Sequence, residues 1–339
     1  MPQISDNHYL ITDICCFFFE NVYFMHIKLN SQFSRYIKEK KLKYTFYLFI
    51  FIIFSTTNIS EKTYAAEKNN KSIPVFVSIQ PLAYFVENIG KKLVKVDVLL
   101  LPGKSPATYA PTPKQIEKLV NSKLFFRTGL PFENKLIHKI EHSATNIQII
   151  DLRKDIRLRK MNRTHPDHGK KQNHQHDIYG VDPHIWLSPI LAKKQAETIY
   201  KALVEFNPEH KNQFMSNYIT LIKKLDGLHS KIKRALAASQ GETMFVFHPA
   251  FGYFADTYGL KQMAVEIEGK TPKGKDISIF IQQAKKKKVR IIFVQPQFDR
   301  SAAQKIASLI GGAVIPLDPL AKNYIKNLED MADKVAKAF

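Results

Sequence analysis

From Ile73 onward, short β-branched and apolar runs alternate with stretches whose apolar residues recur at helical spacing. The runs IPVFVSI (73–79), VKVDVLLL (94–101), KLFFRTG (123–129) and NIQIIDL (146–152) predict strands. PLAYFVENIG (81–90), closed by Gly90, and TPKQIEKLVNS (112–122), opened by a Thr-Pro cap pair, predict helices. The second half repeats the pattern, with strands over 243–249, 261–267, 289–296 and 313–318. Helices are expected over 252–260, 276–288, 299–312 and the amphipathic C-terminus. Between the halves lies a helical block, 188–206 and then 208–238, entered through Ser188-Pro189 and divided at Asn207-Pro208. Strands alternating with helices argue for parallel βαβ units. The fold class expected is α/β, with two lobes, each a mainly parallel sheet flanked by helices, joined by one long linking helix.

Upstream, the pattern changes. Tyr44–Thr57 is an unbroken apolar run of 14 residues, short of the ~20 that cross a bilayer and suited to the core of an export signal. Arg35, Lys38, Lys40, Lys41 and Lys43 precede it, and Thr63-Tyr64-Ala65-Ala66 follows with small residues placed for cleavage after Ala65. Met25 opens a more ordinary n-region than Met1 does. The expected division is therefore an N-terminal extension and signal peptide (1–65), a first lobe (66–187), a linking helix (188–207) and a second lobe (208–339). A periplasmic location follows. The only cysteines, Cys15 and Cys16, lie ahead of the apolar run, so no lipid-anchor cysteine is seen. A disulfide scaffold or Cys-based zinc site is excluded.

The 339 residues carry 51 Lys+Arg against 30 Asp+Glu, a formal net charge of +21. Apart from Lys285–Lys288 and RKDIRLRK (153–160), the cations are dispersed, and no basic-aromatic motif of a nucleic-acid reader is present. A Lys-rich surface facing anionic membrane accounts for the charge, and no nucleic-acid partner is expected.

Histidines mark the chemistry. The polar tract 161–180 holds His165, His168, His174 and His176, four of the chain's twelve, and reads as a loop that gathers metal transiently. Three further side chains stand at Pro-flanked strand exits or lobe junctions: His184 in DPHIWLSP (182–189), His248 in FVFHP (245–249) and Asp318 in IPLDP (315–319). Imidazole with carboxylate suits Zn²⁺ or Mn²⁺. A serine hydrolase would need a nucleophile elbow, and a phosphate site a Gly-rich turn; neither motif occurs.

Over 72–339 the chain resembles the periplasmic metal-binding proteins of zinc/manganese ABC importers, the cluster A-I solute-binding proteins. The resemblance rests on PGKSPATYAPTPKQ (102–115), TGLPFE (128–133), the His-rich insert, DPHIWLSP, FVFHPAFGYFADTYGL (245–260), EIEGKTP (266–272), FVQPQF (293–298) and LDPLA (317–321). It implies metal ligation by His184, His248 and Asp318, a membrane permease as partner, a monomeric carrier and no enzymatic activity. The implied cargo is Zn²⁺, with Mn²⁺ as the alternative. One position departs from the pattern, because Ala107 stands where the family's first motif carries a ligating His. Water, Tyr109, a loop His or Glu268 are the groups left for a fourth position. The rival readings are a manganese-specific binder, a metal-sequestering or adhesion protein, and a zinc hydrolase with three ligands and a water. The last lacks an H-E-x-x-H helix.

Overall fold

The computed structural model describes residues 72–141, 146–161, 180–266 and 274–339. The expected export segment, the four histidines of the insert and Glu268 lie outside the described residues.

The first lobe builds β1 (Ile73–Val77), α1 (Gln80–Gly90), β2 (Val94–Val98), α2 (Pro113–Val120), β3 (Leu124–Arg127), α3 (Pro131–Glu141) and β4 (Gln148–Asp151). Its strands are all parallel in the order β2-β1-β3-β4, and Val75 of β1 pairs with Val96 on one side and Leu124 on the other. The second lobe repeats this plan with β5 (Thr243–Val246), α6 (Gly252–Tyr258), β6 (Lys261–Ala264), α7 (Gly274–Lys286), β7 (Ile291–Val294), α8 (Arg300–Leu309), β8 (Ala313–Pro316) and α9 (Tyr324–Ala336). The order is β6-β5-β7-β8, again parallel. Burial follows position in the sheet. Central β3 and β5 are almost wholly buried, while edge strands β2, β4 and β8 are half exposed. Continuous apolar runs mark strands covered on both faces.

α4 (Pro189–Phe206) and α5 (Lys211–Ala235) join the lobes. α4 occupies the stretch expected to link them, and α5 follows it for 25 residues, about 37 Å at 1.5 Å per residue. Phe214, Leu221, Leu225, Leu228 and Ile232 form a buried stripe at helical spacing along α5. The helix packs on α1 of the first lobe and α9 of the second. One apolar core therefore runs from Phe85 and Phe126 through Leu225 to Val246 and Tyr324. A separate cluster around Phe245, Phe280 and Ile292 fills the far face of the second sheet.

Three local expectations need correcting. α3 is not announced by apolar spacing; it starts at Pro131, and its buried Glu133 accepts from the Gly129 amide at 2.6 Å, so a polar anchor organises its entry. The strands are shorter than their apolar runs. Leu99 and Leu100 are buried beyond β2, their amides still bonded to the Val77 and Ser78 carbonyls as the chain leaves the sheet. Ser188 does not cap α4 through its side chain; its hydroxyl instead accepts from Thr257 of α6 at 2.8 Å. The Thr112 cap does form, as a reciprocal capping box with Gln115. Among the described residues, no helix is long and apolar enough to cross a membrane.

Candidate metal centre

The carboxyl ends of the two sheets face a shared cleft of about 490 Å³, the place where parallel sheets present ligands. The first lobe contributes Ser105, Pro106 and Ala107 beyond β2, Gly129 to Pro131 beyond β3, and Pro183, His184 and Trp186. The second contributes His248, Gln295, Gln297, Phe298, Pro319 and Leu320. Met161 and Val181 also line it. They belong to a short ribbon in which Lys160 bridges Val181 antiparallel and the Met161 amide donates to the Gly180 carbonyl at 2.8 Å. The ribbon is the stem of the His-rich insert, so that insert springs from the rim of the cleft.

His184 is placed by Asp182. The fully buried carboxylate accepts through one oxygen, Oδ1, from the His184 amide at 3.0 Å and bonds the His184 Nδ1 at 2.8 Å. The first of these is an Asx-type turn that sets the backbone. The second aligns the ring, which lies 5.3 Å from the Trp186 ring.

His248 is placed with equal care from the other lobe. Gln295, immediately after β7, clamps its backbone: Gln295 Oε1 accepts from the His248 amide at 3.3 Å and Gln295 Nε2 donates to the His248 carbonyl at 2.7 Å. Glu266 bonds the ring through Nδ1, and Phe298 stacks on it at 4.8 Å with 22° between planes. Burial pushes the His248 imidazole below its ordinary pKa, against the opposing pull of Glu266. A neutral imidazole is the form that ligates metal.

The two rings stand 5.4 Å apart, centroid to centroid, at 74°. Two imidazoles on one tetrahedral zinc, with Zn–N of about 2.0–2.1 Å, place their ring centres roughly 5 Å apart. With both Nδ1 atoms engaged by carboxylates, each ring keeps Nε2 as its lone-pair donor. A carboxylate behind a ligating histidine fixes its tautomer and raises its basicity. The donor set and spacing fit a borderline cation such as zinc.

The structure brings His184 and His248 together, but treats the other expected ligands differently. Asp318 follows β8, yet its Oδ1 accepts from Gln297 Nε2 at 2.8 Å and from the Leu320 amide at 2.9 Å. It is not among the residues lining the cleft. Among the described residues, no group of three or more His, Cys, Asp or Glu side chains is gathered in a metal-holding arrangement. Ala107 lines the cleft. Tyr109 does not; its hydroxyl lies 2.6 Å from the Leu99 carbonyl and 2.9 Å from Gln115 Oε1, where it braces the loop after β2. Sequence reasoning missed Asp182, Glu266 and Gln295 as the groups that hold His184 and His248. The D-x-H spacing that permits an Asx turn was the available signal for Asp182; Glu266 and Gln295 follow the ends of β6 and β7 and have no local signal.

Comparison with known proteins places the chain among zinc-uptake proteins. The family model for the zinc-uptake complex component A, periplasmic (ZnuA), matches residues 75–338. The high-affinity zinc uptake system protein ZnuA of Yersinia pestis is 28% identical over 278 residues, 76% of this chain and 86% of the relative. Its namesake from Bacillus subtilis is 26% identical over 284 residues, 79% of this chain and 85% of the relative. A crystal structure of ZnuA, 34% identical, superposes with a TM-score of 0.72 over 79% of this chain and 99% of that one. A deletion mutant of ZnuA with zinc bound, also 34% identical, superposes at 0.71 over 79% of this chain and 98% of that one. The chain belongs to the ZnuA family and is a zinc-type solute-binding protein of the cluster A-I class.

Proposed function

We propose that this protein is the exported metal-capture subunit of an ABC importer, binding Zn²⁺ in the cleft and delivering it to a membrane permease. The observation that carries the reading is the pair of imidazoles, one from each lobe, each backed by a buried carboxylate and set at zinc-ligand spacing. His184, His248 and Asp318 are the protein ligands in this proposal. Asp318 reaches the ion by giving up the Gln297 amide or by offering its second oxygen. The position opposite Ala107 is left to water, Glu268 or a loop histidine; the Tyr109 hydroxyl serves the loop instead. His165, His168, His174 and His176, within a polar tract that has no apolar periodicity, collect ions as transient ligands.

The same reading divides the chain into an export segment (1–65), a first lobe (66–187), a linking helix (188–207) and a second lobe (208–339). It makes the mature protein a periplasmic monomer without a nucleic-acid partner. It is a carrier and breaks no covalent bond. Two imidazoles against one carboxylate favour Zn²⁺ over the harder Mn²⁺.

The test is metal analysis of the chain purified from Ala66 onward, with Zn²⁺ and Mn²⁺ competing in the presence of a chelator. One tightly held Zn²⁺ per chain, displaced by Mn²⁺ only at large excess, is expected. Tighter binding of Mn²⁺ than of Zn²⁺ overturns the metal assignment, and no tight site for either overturns the function.

A further inference from the structure

Asp182 has two oxygens, and only Oδ1 serves His184. Oδ2 accepts from Arg159 Nη1 at 3.0 Å, while Arg159 Nε reaches Asp256 Oδ2, also at 3.0 Å. Arg159 and Asp182 belong to the stem of the first lobe, and their segments bond through the Asp182 amide and the Arg159 carbonyl at 3.0 Å. Asp256 belongs to α6 of the second lobe. A second tie runs beside the first: the Tyr253 hydroxyl, also on α6, accepts from the Arg159 amide at 2.9 Å and donates to the Asp182 carbonyl at 3.1 Å. Gly252 makes this approach feasible, since an added Cβ there would lie 1.3 Å from Arg159 Nη1 and 2.7 Å from Asp182 Oδ2.

The Asp182 side chain is fully buried and that of Arg159 is 16% exposed, whereas that of Asp256 is 58% exposed. A buried carboxylate that loses one of its two partners is free to turn, and a freed Asp182 no longer dictates which His184 nitrogen carries the proton. Arg159 is not a ligand. It acts on the ion through Asp182 and His184, and its own position is set by the opposite lobe.

We propose that Arg159 is a positioning residue of the zinc site, holding Asp182 on His184 from an anchor on the second lobe, so that ligand geometry depends on contact between the lobes. The inference rests on the reading of His184 as a zinc ligand. It assigns a task to the RKDIRLRK stretch, whose charge alone indicates only a solvated surface. It also gives lobe contact a route to the ion through the support of His184, so that a partner that parts α6 from the stem would loosen that ligand.

The test uses the mature chain and five variants: Arg159→Gln, Gly252→Ala, Asp256→Ala, the Asp256→Ala/Arg159→Gln double and, as control, His184→Ala. Zinc affinity is measured by chelator competition, thermal midpoints are taken without metal, and the His184 tautomer is read by nitrogen NMR of the imidazoles in the zinc-free protein. Loss of an outer partner of a metal ligand costs about 10–100-fold in affinity. R159Q removes the support of that partner rather than the partner itself, so it is expected to weaken zinc several-fold, up to about tenfold, and to mix the His184 tautomers while leaving those of His248 unchanged. G252A, which displaces the guanidinium without altering its charge, should act in the same direction, and it carries the test if R159Q does not fold. D256A should give a smaller loss, and the D256A/R159Q double variant should bind no more weakly than R159Q, because both act through one side chain. If R159Q and G252A lower the thermal midpoint but leave affinity within twofold and the His184 tautomer fixed, Arg159 is a structural ion pair and the inference is overturned. Unchanged affinity in H184A overturns the reading of the cleft itself, a result distinguishable from failure of the Arg159 proposal alone.

Discussion

The indole Nε1–H of Trp186 donates to the Pro319 carbonyl at 2.7 Å, joining the segment that carries His184 to the one that carries Asp318. The bond crosses the cleft floor between lobes. The Trp186 carbonyl in turn accepts from the Tyr324 hydroxyl at 2.6 Å, and Tyr324 packs edge-on against Phe85 of α1 at 4.8 Å. With α5 packed along both lobes, and the exposed Lys322–Glu87 pair at 2.8 Å outside it, the two halves are joined by a buried seam rather than a loose hinge. The expected closure on metal is therefore small, which the scattering measurement below checks.

Trp186 is the only tryptophan in the chain, and it adjoins His184. Zinc addition should change its fluorescence with the same midpoint as binding measured by competition, while the solution radius of gyration stays nearly constant. Trp186→Phe should lower stability by about 1–3 kcal/mol, the usual cost of leaving a buried acceptor such as the Pro319 carbonyl without its donor. Chemical denaturation and small-angle scattering check both points. A large contraction on zinc addition would contradict the welded seam.

Ala107 offers a direct test of the incomplete ligand set. Its methyl group lines the same cleft as both histidines, so Ala107→His should supply a further imidazole and tighten zinc. A gain of 1.4 kcal/mol is about tenfold in affinity, which competition titration resolves. Level or reduced affinity would mean that the fourth position is already filled by a group the new ring crowds.

The insert should be dispensable for the tight site. Its stem closes on itself through the Lys160–Val181 bridge and the Met161–Gly180 hydrogen bond, so removing 163–177 leaves the cleft wall in place. One tight Zn²⁺ should remain, and only the number of weakly held ions should fall. Loss of the tight site on deletion would identify a loop histidine as a ligand.

Acid should loosen the wall beneath Gly129. There the left-handed backbone (φ +84°) is a conformation that favours glycine, and the Arg153 guanidinium lies so close that an added Cβ would be 2.2 Å from it. Arg153 is held by Asp151 at 2.6 Å, and Arg127 joins the same carboxylate at 2.7 Å. Burial pushes the Asp151 carboxyl up, but hydrogen bonds from Arg153 and the charges of Arg127 and Arg153 outweigh it and hold the group below its ordinary value. A carboxylate with a depressed folded pKa binds fewer protons folded than unfolded. Its stabilising contribution is thus complete above about pH 4 and lost as pH falls through the folded value. Asp151→Asn should cost on the order of 1 kcal/mol at pH 7, discounted for partial exposure. The gap to the parent chain should close below about pH 4 in acid denaturation curves. A gap that persists unchanged into strong acid would mean that the loss came from packing.

Local pattern determined much of this protein. Fully apolar runs such as TMFV and IIFV announce central parallel strands because both of their faces are covered, and the Thr112-Pro113 pair announces a helix start because one side chain and one fixed φ suffice for it. The two histidines that meet in the cleft were legible too, since His248 stands out against the apolar run before it and His184 sits in a Pro-flanked turn ahead of a helix. What lies between strands distant in sequence was not legible. Glu266 meets His248 across 18 residues, Gln295 clamps it across 47, and Trp186 reaches Pro319 across 133. The first two pairings are set by which strands lie side by side and where they stop, the third by how the lobes meet, and neither spacing nor composition encodes that. α3 escaped for a related reason: its entry is organised by a buried glutamate receiving backbone amides, a long-range satisfaction of polar groups rather than an apolar period. Asp318 makes the same point in reverse, for its place in the chain suggests a ligand, while its carboxylate is held by Gln297 from the turn after the neighbouring strand.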